Sequence, residues 1–168
     1  MFTVRGTKKF LDRVGRPLAD PPAGTTVLGD WYANVLLWWP QVALFVNAAT
    51  FMPVLMPLAP AAGVVARFPV GLSEVLAALG IDPRFVAAET AEMQSVALAK
   101  TASRQVLGVM NEFTFMAEHA IGTGRSDPAD LVGLSAWLAN TIVGPISRED
   151  GSTPRGALGP RVAAALDG

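Results

Sequence analysis

Lys100 and Arg104 stand four residues apart in the segment KTASRQVLGVMNEF, with Thr101 beside the first and Asn111 seven residues beyond the second. A guanidinium offers a planar fork and an ammonium a point charge, so together they can grip a phosphate or a carboxylate. The partner class this implies is a small anionic ligand or an unknown protein. Arg104 can equally pair with Glu112 or Glu74 and hold elements together. Phosphoester chemistry asks for more, namely clustered carboxylates to hold a metal or a well-placed general base. Near the motif stand only Glu112 and Glu118. The single histidine, His119, has no G-x-S-x-G elbow elsewhere in the chain and no H-E-x-x-H around it, and no phosphate-loop lysine follows a glycine-rich turn. It reads as an exposed residue near a helix C-terminus. With no cysteine, thiolate chemistry, disulfides and Cys-rich zinc sites are excluded. No cofactor or metal is expected.

Two amides form a second candidate. A two-residue loop at Pro40 and Gln41 pairs Trp39 with Val42 and sets Asn34 directly opposite Asn47 on one sheet face. A buried amide without partners costs on the order of 1 to 3 kcal/mol. The pair therefore either bonds to itself and to nearby backbone or floors a pocket.

The elements that must position these residues follow from hydrophobic spacing. From Trp31 to Ala66 there is no Asp, Glu, Lys, Arg or His. A membrane helix needs about 20 apolar residues without breakers, whereas Pro40, Pro53, Pro57 and Pro60 recur here and Asn34, Gln41 and Asn47 interrupt it. Three strands fit better, at 31–39, 42–47 and 50–56, apolar on both alternating faces and so covered on both sides. Short strands near 2–5 and 95–99 complete a small antiparallel sheet. Helices are expected at 8–14 behind a Thr7 cap, at 60–80 with a bend at Pro69, and at 82–93 behind Asp82 and Pro83. Another follows the Ser103 cap, burying Val106, Met110, Phe113 and Ala117, and one more runs from Asp127 to about Asn140. Gly108 in mid-helix implies close approach by a neighbouring element. The whole is a single α+β domain over residues 1–143, with 144–168 a flexible C-terminal tail that has room for a short helix.

Lys100, Thr101, Arg104, Val106, Gly108, Met110, Asn111 and Phe113 resemble the KT-x-N-R-S-V-x-G-x-MN-x-F signature of a bacterial domain family of unknown function. TKKFLD, LGDWYANVL and LFVNAAT are similar to its other recurrent blocks, and the likeness covers roughly residues 1 to 120. Ser103 and Gln105 depart from the pattern, which has asparagine and serine there. The resemblance implies one cytoplasmic α+β domain and names no reaction. Some similar chains travel with mobile elements, which points toward defence or nucleic acid.

Charge bears on the partner. Thirteen basic residues against 14 acidic ones do not favour sequence-blind binding to nucleic acid, which relies on many Lys and Arg contacts to phosphate. The N-terminus has charges interleaved through it and does not read as a signal peptide. The expected function is a small non-catalytic binding module in a bacterial cytoplasm, away from membranes. The alternative is an enzyme acting on nucleic acid or a phosphoester.

Overall fold

The computed structural model describes residues 1–168. Strand β1 (Phe2–Gly6) leads into helix α1 (Lys8–Val14), whose first turn is capped by the Thr7 hydroxyl accepting from Phe10 N. A long loop then reaches β2 (Trp31–Leu36), and β3 (Val42–Asn47) and β4 (Pro53–Pro57) follow. Helices α2 (Val64–Ala78) and α3 (Pro83–Ala91) precede β5 (Val96–Lys100). The chain ends with α4 (Arg104–Gly122), α5 (Leu131–Ala139) and α6 (Pro154–Asp167).

The five strands lie in the order β4-β3-β2-β1-β5. The hairpin-linked pairs β2–β3 and β3–β4 are antiparallel, but β1 is parallel to both β2 and β5. The sheet is therefore mixed, not antiparallel as expected. Parallel neighbours need a crossover of a dozen or more residues. The α1 segment supplies one between β1 and β2, and the whole of β2 to α3 lies between β1 and β5.

Each face of the sheet builds its own core. On the first, Phe2, Val4, Trp31, Ala33 and Phe45 meet α2, α3 and α6, and Phe68 of α2 stacks on Phe45 at 4.2 Å and meets Trp31 edge-on at 4.9 Å. On the second, Tyr32, Leu36, Leu44 and Leu55 meet Val106, Met110, Phe113 and Ala117 of α4 and Leu134 and Leu138 of α5. The uncharged stretch is thus covered on both sides, as its two apolar faces imply. The window Ala61–Ala78 is long and apolar enough by composition to cross a membrane, and its Val64, Phe68, Leu72, Val75 and Leu76 lie in the first core.

Three local expectations change. In β2–β3, Leu36 opposes Val42 and Trp31 opposes Asn47, while Asn34 opposes Leu44. Relative to a two-residue turn at Pro40 and Gln41, the register slips by three residues. An odd slip flips faces, so Asn34 and Asn47 stand on opposite sides of the sheet. At α5, Asp130 caps the helix, its Oδ1 accepting from Gly133 N at 2.8 Å, whereas Asp127 closes the preceding turn by accepting from Ala129 N. Residues 144–168, expected to be a tail with room for a short helix, contain the 14-residue α6, with Leu158 and Val162 buried in the first core.

Candidate functional site

Asn47 is spent on architecture. Its Nδ2 donates to Leu28 O at 2.9 Å and Asp30 O at 3.3 Å, and its Oδ1 accepts from Ala49 N, Thr50 N and Thr50 Oγ1. An amide with two donors and one oxygen has little left to offer a ligand. Asn34 Oδ1 accepts from Thr7 Oγ1 at 2.7 Å and Val35 N at 2.9 Å, tying the start of α1 to β2. Neither Asn34 nor Asn47 lines the cleft described below.

Lys100 closes β5 beside Gly6, and Arg104 opens α4 just beyond it. Both are exposed and neither makes an ion pair; the pairs present are Arg5–Asp30, Lys8–Asp12 and Arg84–Asp82. The pairing of Arg104 with Glu112 or Glu74 does not form. Thr101 is half-buried and Asn111 exposed. The segment between β5 and α4 is held by groups far away in sequence: Arg5 Nη1 donates to Lys100 O at 3.4 Å, and Tyr32 Oη accepts from Ala102 N at 3.3 Å. Arg5 is itself fixed by Asp30, 2.8 Å from its Nε.

At 3.6 residues per turn, Arg104, Gly108, Asn111, Phe115, Glu118 and Gly122 fall on one stripe of α4, opposite the buried Val106, Met110, Phe113 and Ala117. Gly108 has nothing within 4 Å of where a Cβ would stand, so the close approach expected there is absent. Asn34 and Asn47 stand on opposite faces of the sheet, so the sequence-derived candidates do not all share one cleft.

At the C-terminal end of the stripe the stripe meets a different feature. Strand β2 stops at Leu36 and the chain runs through Leu37–Gln41 before β3 begins. Trp38 turns toward α4, where its Nε1 donates to Glu118 Oε1 at 3.0 Å. Gln41 is anchored twice, its Oε1 accepting from Arg13 Nη1 at 2.9 Å and its carbonyl from Leu58 N at 3.1 Å. Between this connection, the last turn of α4 and the segment entering α5 lies a cleft of about 520 Å³. Its lining includes Trp38, Ile121 and Leu131, which also pack against the second core. Trp39 and Pro40 form the rim, and Trp39 is 97% exposed. Glu118 is the single charged side chain in the lining.

The sequence held a signal for this cleft in Trp38-Trp39-Pro40, because proline removes a ladder donor and tends to end or edge a strand. The strand propensity of the run up to Trp39 masks it. Chemically, the cleft offers two indoles, an apolar floor and one carboxylate. No group of three or more His, Asp or Glu side chains is placed to hold a metal ion.

The family model of a domain of unknown function, DUF6933, matches residues 3–156. No curated protein and no solved structure matches the chain.

Proposed function

The chain belongs to the DUF6933 family, and we propose that it is a small binding module whose ligand seat is the cleft between the Leu37–Gln41 connection and the end of α4. The observation that carries this reading is Trp39, an indole left 97% in water on a connection fixed at both ends, beside a ready-made apolar hollow. An exposed aromatic is unremarkable alone, but one that rims a concave apolar site marks a place for a partner. The two tethers hold the connection in place before binding, so little ordering entropy is lost on occupation. A bacterial cytoplasm as its setting belongs to the same proposal, resting on the absence of cysteine and on the family resemblance.

The reading is tested by titrating the ¹⁵N-labelled chain with small apolar and aromatic fragments. Expected are shifts of the Trp38 and Trp39 indole N–H signals and of backbone amides at 118–122 and 128–131, weakened by Trp39→Ala. Shifts scattered over the surface, or none, overturn it.

A second reading, action on a phosphoester or nucleic acid, is favoured by one observation: Lys100 and Arg104 are exposed cations without intramolecular partners. Inorganic phosphate in the same titration separates the two. Shifts confined to residues 100–111 with a silent cleft favour the second.

A further inference from the structure

We infer that the cleft holds a small organic cation, an alkylated ammonium with an apolar body; this rests on the cleft being the binding seat. Four features of one small volume agree in sign. Glu118 is its only charged lining group; one carboxylate oxygen accepts from Trp38 Nε1, and Oε2 makes no hydrogen bond within the chain. Two indoles contribute, and tryptophan has the strongest cation-attracting ring face of the aromatic side chains. Ile121 and Gly122 bring in the last turn of the 19-residue α4, the negative end of its helix dipole. No basic side chain lines the cleft, and Arg13, which reaches Gln41 from outside, is engaged with that amide oxygen.

An anion placed here meets a carboxylate and the negative end of a helix at once, so the site disfavours the anionic ligands that Lys100 and Arg104 would suit. A neutral apolar compound gains only buried area. A cation with an apolar body gains both, because desolvation against the indoles strengthens its attraction to Glu118. A volume of about 520 Å³ lies within the range of roughly 300 to 1,000 Å³ usual for small-molecule seats. That commits the occupant to a compound and not to a protein surface. Trp39, nearly all exposed at the rim, gains its contact when the ammonium binds.

The test compares choline with its uncharged isostere 3,3-dimethylbutan-1-ol on the full ¹⁵N-labelled chain, reading the indole signals of Trp38 and Trp39. Choline is expected to bind about tenfold tighter than the alcohol, a difference of about 1.4 kcal/mol. In Glu118→Gln, which keeps an oxygen acceptor for Trp38 Nε1, the two probes come within about twofold of each other. Glu118 is exposed, and an unchanged thermal midpoint shows that this variant folds. Equal affinity of the two probes in the native chain, with shifts in the cleft, removes the cation and leaves the binding seat standing. A preference for choline that survives in Glu118→Gln overturns Glu118 as the partner of the cation and leaves the preference to the indoles and the helix end. No cleft shift with either probe also overturns it, while the apolar fragments independently report on the seat. A lysine-bearing tripeptide amide that binds tighter than choline overturns the small-molecule occupant in favour of a polypeptide.

Discussion

Gly108 shows how one residue separates local cost from tertiary reason. A glycine inside a helix costs about 0.5 to 1 kcal/mol relative to alanine, through the extra freedom of the unfolded chain. Where a neighbour presses on the backbone that cost is offset, but here the space beyond the Cα is empty. Gly108→Ala is therefore expected to raise stability by about 0.5 to 1 kcal/mol, read as a higher urea midpoint at unchanged slope. A lower midpoint contradicts the open space beyond Gly108. The neighbouring positions divide along the same line between what a sequence can and cannot reveal. Ser103 as a cap and Val106, Met110, Phe113 and Ala117 as a buried stripe were legible, because capping and helical period are local properties. The uses of Asn34 and Asn47 were not. Their partners, Thr7 and Leu28, lie 27 and 19 residues away, beyond what spacing reveals.

At the scale of elements, contacts between distant segments decide geometry. The β2–β3 register follows from where β2 stops, and β2 stops where Trp38 leaves the sheet for Glu118, 80 residues on. A turn rule applied to Pro40 sees only the local half of that competition. Helix α3 is tied to the loop before β2 in a similar way: Glu89, 2% exposed, accepts from Val27 N at 2.8 Å and Leu28 N at 2.9 Å. Burial raises its carboxyl above the ordinary 4.5, while the two backbone N–H groups pull the other way, less strongly. Between that ordinary value and the raised one, the folded chain keeps a proton that the unfolded chain has released. The contribution of Glu89 to stability therefore falls as pH rises through this window, and it is largest below it. Glu89→Gln, which cannot titrate, turns an NH₂ toward one of the two N–H donors and is expected to cost about 1 to 3 kcal/mol. Across a pH series from below 4.5 to neutral, the stability advantage of the native chain over this variant should shrink. An advantage that widens instead contradicts the direction given for Glu89.

For the whole molecule, the α+β class and the two-sided burial of residues 31–56 were readable from composition and alternation, but the topology was not. The pairing of β1 with β5 joins residues about 94 apart, and parallel pairing leaves no turn signature between its strands. The extent of the domain was hidden for another reason. Helix α6 contains Gly156, Gly159 and Pro160 and is preceded by a Gly-, Ser- and Pro-containing segment, a composition that reads as loop. Its seat is made by tertiary burial: Leu158 is 0% and Val162 9% exposed, and Arg155 Nη2 donates to Leu79 O at 2.8 Å. Most of α6 lies beyond the family match at 3–156, yet its side chains complete the core under α2 and α3. If this helix belongs to the folding unit, Leu158→Ala opens a cavity in that core and costs about 2 to 5 kcal/mol. The exposed Ala164 provides the control, since Ala164→Ser should stay within about 0.5 kcal/mol. Both are read from urea denaturation followed by tryptophan fluorescence, with Trp31 in the affected core reporting directly. A Leu158→Ala midpoint indistinguishable from that of Ala164→Ser would detach α6 from the core and return residues 144–168 to the role of a tail.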